Sequence, residues 1–158
     1  MRNALIAGAL ALTVGGPASA QQTMLDARTA QAIVAGCAAH ATAKKQGHAI
    51  AVVDLGGPLV AALRMDGNGS GIMDFSIAKA KAVVAWGFST AQMVEAAKGT
   101  PGFAQAPHVV TVAGGVPIFS ADGKTRLGGA GASGEAPADD AACAAAGITA
   151  AGLRQNRG

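Results

Sequence analysis

Apolar side chains recur every three to four residues in four stretches of the chain, a spacing that is typical of amphipathic helices. Thr23 with Asp26 and Ser89 with Gln92 have the residue types of a helix-capping box. Pro137 is a residue favoured in the first turn of a helix. The predicted helices cover 23–47, 74–86, 89–97 and a final stretch from 137 onward.

Shorter runs that are rich in β-branched residues lie between these helices and predict strands. A Leu-Gly-Gly-Pro turn at 55–58 joins the first two strands, and Asp122-Gly123 is a dipeptide favoured in type I′ hairpin turns, whose two central residues require positive φ. Hairpins imply a mainly antiparallel sheet, so we expect one α+β domain over 21–158 with helices flanking the sheet. The five predicted strands cover 48–54, 59–65, 108–112, 116–120 and 126–133.

The first twenty residues have the organisation of a signal peptide. A positive start is followed by an apolar run over 4–14, a Gly-Gly-Pro break and an Ala-Ser-Ala cleavage pattern. The apolar run is too short to span a bilayer, and no later segment is long enough, so we expect no membrane span. These features predict export, with a bacterial periplasm as the expected location.

Composition excludes nucleic acid as an expected partner. The chain has 12 Lys and Arg against 9 Asp and Glu, and the basic residues are scattered along it. It has no Tyr, one Trp and four Phe, too few aromatic rings for a base-stacking surface.

Cys37 and Cys143 can be interpreted in two ways, since the expected compartment is oxidising. Both lie in Ala-rich helical segments, so one disulfide could join the first and last helices. Alternatively, both could be buried free thiols that pack as small apolar residues.

Five short motifs together resemble the GlcG/HbpS family of haem-binding-protein-like domains. The resemblance covers about 25–153 and includes the acidic pair Asp139-Asp140 before the last helix. It implies a profilin-like fold with a five-stranded sheet, a tendency to form homo-oligomers, and in some members secretion and haem binding. The motifs are AVVDLGG at 51–57, ALRMDG at 62–67, IAKAKA at 77–82, GGVPI at 114–118 and GAGASG at 129–134.

Arg64 and Asp66 stand at the end of a predicted strand beside a Gly-rich loop. The planar guanidinium of Arg64 could bind a carboxylate, either a haem propionate or a small organic acid. A local ion pair between Arg64 and Asp66 is the alternative, since the two are two residues apart on one strand face.

Lys79 and Lys81 lie two apart on a predicted helix, so their side chains point about 200° apart. We expect one to approach the sheet, with its stem buried and its head exposed, and the other to face solvent; either could pair with an anionic ligand. Gly114, Gly115 and Ser133 could form another wall of a cleft, because glycine turns expose backbone N–H groups; the alternative is tight strand packing.

His108 opens a predicted strand and is the best candidate for a haem-iron ligand. Thr90 is a weaker candidate, and His48 is expected at the surface. The chain has no Cys-x-x-Cys-His motif, so haem would be bound non-covalently.

We therefore expect Arg64, the glycine turns and the second helix to enclose one hollow that binds haem. A second hypothesis is an enzyme or carrier for a small carboxylate such as a glycolate-like hydroxy acid. A third is a structural oligomer without a ligand. No pair of titratable groups has a spacing that indicates acid–base catalysis, so the type of reaction in the second hypothesis stays open. The family resemblance and the expected compartment both favour the binding protein over the enzyme.

Overall fold

The computed structural model describes residues 23–158, and the predicted signal peptide over 1–20 lies outside them. Helices and strands follow the predicted order, with one strand fewer and a short 3₁₀ helix at Phe103–Gln105. No helix within 23–158 combines the length and hydropathy that crossing a bilayer requires. The elements are α1 (Ala27–Ala43), β1 (Ala49–Asp54), β2 (Leu59–Arg64), α2 (Ser70–Trp86), α3 (Thr90–Gly99), β3 (Gly115–Phe119), β4 (Arg126–Ser133) and α4 (Pro137–Ala150).

The sheet has four strands in the order β2-β1-β4-β3, and every neighbouring pair is antiparallel. The prediction of a fifth strand over 108–112 is wrong: this segment is irregular, and His108 at its start has a positive φ of 62°. A β-branched run favours extended backbone but forms a strand only where a neighbouring strand offers hydrogen bonds. The likeness to profilin stays a prediction.

Helices cover both faces of the sheet. On one face, α1 and α4 pack against the larger apolar side chains of the strands, including Ile50, Val52 and Ile118. On the other face, α2 lies so close to β4 that a Cβ on Gly131 would stand 2.0 Å from the carbonyl oxygen of Ser76. The glycine-rich last strand is therefore a packing requirement, because any side chain at this position would push the helix away.

Helix ends follow their capping chemistry. Ser89 and Gln92 form the complete capping box that the sequence predicts. The other predicted box is absent; instead Asp26 caps α1 by accepting a hydrogen bond from the Thr29 backbone N–H at 2.7 Å. That backbone hydrogen bond lowers the pKa of the Asp26 carboxyl, because it stabilises the ionised form.

The Cys37–Cys143 disulfide is confirmed. It joins α1 to α4 across a sequence separation of 106 residues, and both side chains are fully buried. Next to it, a Cβ on Gly147 would stand 2.3 Å from the Ile33 carbonyl oxygen, so the two helices are in close contact. The bond therefore fixes two helices that pack directly on each other.

A buried carboxylate, Asp140, connects three elements of the fold. Its Oδ2 accepts from Lys79 Nζ at 2.8 Å, and its Oδ1 lies 3.0 Å from His48 Nδ1. Lys79 also donates to the Ala132 carbonyl at 3.0 Å, and the Glu135 backbone N–H donates to Oδ1 at 3.1 Å. A carboxylate can only accept, so His48 donates through Nδ1–H. We call Lys79, Asp140 and His48 the buried polar cluster.

Two expectations fail at the buried polar cluster. His48 is 0% exposed rather than a surface residue, and the Lys79 ammonium is buried with its stem instead of reaching solvent. Lys79 can be buried because Asp140 neutralises it and Ala132 accepts a further hydrogen bond, which offsets the loss of water.

Removing the disulfide should destabilise the protein. A variant with both Cys37→Ala and Cys143→Ala should lose about 2–5 kcal/mol of unfolding free energy, because the unfolded chain regains the freedom of a long loop. Urea denaturation measures this loss, and unfolding of the wild type with and without reductant is the control. A loss below about 1 kcal/mol would contradict a stabilising cross-link.

Removing the charge of Asp140 should be more damaging than the same change one residue earlier. Asp140→Asn leaves the Lys79 ammonium buried without its counter-charge, so we expect a loss of about 3–5 kcal/mol. Asp139→Asn is the matched control: Asp139 is partly exposed and lies 3.9 Å from Lys44, an ion pair worth at most about 1 kcal/mol. Equal losses in the two variants, measured by urea denaturation, would refute this account.

Candidate functional site

The predicted site residues do not enclose one hollow. Arg64 and Asp66 lie at the end of β2, whereas Lys81 and His108 lie beside the turn that precedes β2. Six residues of extended chain separate these two places, a distance of about 20 Å. The expected single cleft is therefore wrong, and the candidates divide into separate groups.

Arg64 and Asp66 are both exposed, and no salt bridge joins them within residues 23–158, so the predicted local ion pair is not formed. Instead, Arg64 Nη1 donates to the backbone carbonyl of Asn68. This bond directs the guanidinium to the loop before α2, so Arg64 stabilises that loop.

A second group of candidates is buried at the start of β3. Thr90 is fully buried, and its hydroxyl accepts from the Gly115 backbone N–H at 2.9 Å. At Gly114, where φ is +131°, a Cβ would stand 2.7 Å from Lys79 Nζ. Ser133 is 4% exposed at the end of β4. These side chains and turns serve packing and strand-edge hydrogen bonding, which is the structural interpretation that the sequence left open.

The third group lines a cavity. Lys81 and His108 both border a space of about 460 Å³ between α2 and the β1–β2 turn. Lys81 is exposed, as expected for the lysine that points away from Lys79, and His108 is exposed as well. The remaining lining residues are apolar or glycine: Leu55, Gly56, Gly57, Pro58, Val84 and Ala85.

The tryptophan at the end of α2 holds the segment that carries His108. Trp86 Nε1 donates to the Pro107 carbonyl at 3.0 Å, one residue before His108. The indole ring in turn packs edge-on against Phe103, with ring centroids 5.0 Å apart, and against Phe88 at 6.5 Å. This arrangement fixes the backbone next to His108 to the same helix that supplies Lys81.

The cavity therefore combines three kinds of group. An imidazole can ligate a metal, an ammonium can pair with an anion, and apolar walls can cover a hydrophobic ligand. Within 23–158, no three His, Cys, Asp or Glu side chains are grouped to hold a metal ion by themselves. The lining of the cavity thus offers contacts to a ligand that has both apolar and anionic parts.

Lys81 and His108 were each predicted from the sequence as candidate ligand-binding residues, but nothing in the sequence indicated that they line the same cavity. Leu55, which contributes to the apolar lining of the cavity, and Trp86, which holds the Pro107 carbonyl, were not among the predicted site residues. The sequence feature that could have indicated Trp86 is its position as the single tryptophan of the chain at the end of a predicted helix. The N–H of a buried or half-buried indole usually finds a hydrogen-bond acceptor.

Two larger cavities flank α3. One, of about 690 Å³, includes Gly115 and the capping pair Ser89 and Gln92, and the other, of about 630 Å³, is mostly apolar. Among the predicted ligand-binding residues only Gly115 lines either of them. The cavity with Lys81 and His108 is smaller, but it alone of the three has both a cation and an imidazole.

Solved structures with the same fold include two of HbpS and one of PduOC. The chain is 24% identical to HbpS, with a TM-score of 0.73 over 87% of this chain and 97% of that one. A double mutant of Streptomyces reticuli HbpS is 25% identical, with a TM-score of 0.74 over 90% and 97%. PduOC, solved as a complex with heme, is 22% identical, with a TM-score of 0.77 over 85% and 99%.

No curated protein sequence matches this chain. A family model described as "Haem degrading protein HbpS-like" matches residues 25–149, which is most of the 158-residue chain and agrees with the resemblance of the five motifs. This protein therefore belongs to the HbpS-like family.

Proposed function

We propose that this protein binds haem non-covalently in the cavity between α2 and the β1–β2 turn. The observation that carries the proposal is that Lys81 and His108, from distant parts of the sequence, line one cavity whose other walls are apolar. Membership of the HbpS-like family and the fold shared with PduOC, which was solved with heme, support the choice of ligand.

The side chains present fit the parts of a haem molecule. The His108 imidazole would ligate iron, and the Lys81 ammonium would pair with a propionate. Leu55, Val84 and Ala85 would contact the porphyrin ring and exclude water from it. Haem would supply an iron centre whose reactivity depends on its axial ligand, so the role of the protein is to bind and orient it.

The alternative of a small-carboxylate enzyme or carrier has less support. Its expected anion site was Arg64 with a glycine turn, but the Arg64 guanidinium donates to Asn68, and Gly114 packs against Lys79.

We also propose export to a bacterial periplasm, on the pattern of 1–20. We further propose that the chain associates with copies of itself, as the family resemblance implies.

Replacing His108 tests the haem proposal most directly. Titration of the wild type with hemin should shift the Soret band, and His108→Ala should weaken binding at least about tenfold because the iron loses its protein ligand. His40→Ala is the matched control, since His40 lies on α1 away from the cavity. Wild-type binding no stronger than that of an unrelated protein would refute haem binding, and unchanged affinity in His108→Ala would refute the ligand assignment.

Lys81 should contribute through charge. Lys81→Gln should weaken hemin binding about two- to fivefold at low salt, and the difference should shrink as salt screens the exposed pair. Lys98→Gln makes the same change on α3, outside the cavity lining, and should bind like the wild type. If the two variants bind hemin equally at every salt concentration, Lys81 does not pair with the ligand.

A further inference from the structure

The two cavities beside α3 adjoin and form one groove between α3 and α4. Ala91 of α3 and Ala141 of α4 line both cavities. On α4, the lining of the two cavities together extends from Pro137 to Thr149, which are about 18 Å apart along the helix axis. Ala141 and Ala145 lie on one face of this helix, and their short side chains leave the space open. We call this space the α3–α4 groove.

The two ends of the α3–α4 groove differ in polarity. The end near Pro137 is mainly apolar, and the one acidic side chain among its described lining residues, Glu95, already pairs with Lys98 at 2.8 Å. The opposite end, near Thr149, is polar. The apolar lining includes Val94, Val112, Ala113 and Ala138, and the polar lining includes Gln92, Arg154, Gln155 and Asn156. A ligand that fits both ends therefore has an apolar part and a polar part.

Arg154 is the only cation among the described residues that line the α3–α4 groove. Its backbone is fixed, because its N–H donates to the Phe119 carbonyl at 3.1 Å and its carbonyl accepts from the Phe119 N–H at 2.8 Å. Its guanidinium, unlike that of Arg64, has no hydrogen bond or salt bridge to any residue within 23–158. The Gln92 amide oxygen accepts from the Ser89 backbone N–H at 2.9 Å, which leaves the Gln92 NH₂ group as a further donor in the same cavity. These donors suit a carboxylate, which can only accept.

We propose that the α3–α4 groove binds an amphiphilic monocarboxylate of the fatty-acid class, with its carboxylate at Arg154 and its chain extending along α4 towards Pro137. The planar guanidinium would bind the carboxylate through paired hydrogen bonds, and Gln92 would donate a further one. The apolar lining would remove the chain from water. A second charge at the far end of the ligand would lie among apolar side chains, so a dicarboxylate fits less well.

This site is separate from the proposed haem site. Among the described residues, none lines both the α3–α4 groove and the cavity with Lys81 and His108. The fatty-acid site therefore does not depend on haem binding, and each of the two proposals can fail without the other.

The edge of β3 borders the groove and does not favour a peptide as its ligand. An extended peptide binds a sheet edge through backbone hydrogen bonds. Gly115 N–H already donates to the Thr90 hydroxyl at 2.9 Å, and Pro117 has no N–H. Both Gly115 and Pro117 line the groove, but neither can donate to an added strand. The chain of a fatty acid needs no such hydrogen bonds.

The dependence of affinity on chain length tests the apolar part of the site. Isothermal titration calorimetry of the full-length protein should show affinity rising about two- to fourfold per methylene from hexanoate to decanoate. Each acid is used below the concentration at which it forms micelles. Octanol should bind more weakly than octanoate, because it has no charge to pair with Arg154. Affinity that does not rise with chain length, or equal affinity for octanol and octanoate, would overturn the proposal.

Arg154→Gln tests the polar end of the groove. This variant should bind octanoate about two- to fivefold more weakly at low salt, and the difference should shrink as salt screens the exposed guanidinium. Arg157→Gln is the matched control, since it makes the same change three residues later, outside the groove lining. Equal octanoate affinities in these two variants would overturn the placement of the carboxylate.

Ala141→Phe tests whether the chain passes the point where the two cavities meet. The ring should fill the groove there, so the variant should lose the gain in affinity from hexanoate to decanoate. Ala39→Phe, on the exposed side of α1, should keep that gain. Circular dichroism verifies that both variants are folded. An undiminished gain in folded Ala141→Phe would overturn the proposed path of the chain, and if this variant does not fold, the Arg154 comparison decides.

His108→Ala distinguishes this proposal from the haem proposal. It should bind octanoate like the wild type, whatever its affinity for hemin, because His108 does not line the α3–α4 groove. Loss of octanoate binding in His108→Ala would place the carboxylate in the other cavity and overturn the proposal.

Discussion

The arrangement of helices around the sheet depends on the buried Asp140 carboxylate. It lies at the start of α4 and accepts hydrogen bonds from α2, through Lys79, and from the residue before β1, through His48. Charges in an interior need both a counter-charge and a full set of hydrogen bonds, so these elements have little freedom to shift separately. The cluster thus links the helix on one face of the sheet to a helix on the other.

Small residues make this linkage possible. Gly129 and Gly131 let α2 approach β4, and Gly147 lets α4 approach α1, so the Lys79 ammonium reaches Asp140 from across the sheet. The disulfide then fixes α1 to α4. With one Trp and four Phe, this chain does not have a bulky aromatic core. Its elements are held instead by close backbone approach, one buried ion pair and one disulfide.

Helix α2 has two roles on opposite sides. Lys79 points into the protein and holds the buried polar cluster, while Lys81, about 200° around the helix, points to the cavity. Trp86 at the end of the same helix holds the Pro107 carbonyl and so positions the neighbouring His108. The helix that is most tightly fixed to the sheet is therefore also the one that supports the proposed ligand site, which favours a preformed cavity.

The sequence by itself determined the four helices, four of the strands, the Ser89 capping box and the family, because these follow from local periodicity, capping chemistry and short motifs. Whether Cys37 meets Cys143, whether Lys79 or Lys81 is buried, and which candidates share a cavity were decided only by the tertiary structure. The strand predicted at 108–112 was wrong for the same reason, because a strand forms only where a neighbouring strand can pair with it. Side-chain type and spacing act over a few residues, whereas burial and pairing join residues far apart in the chain, so no local pattern encodes them.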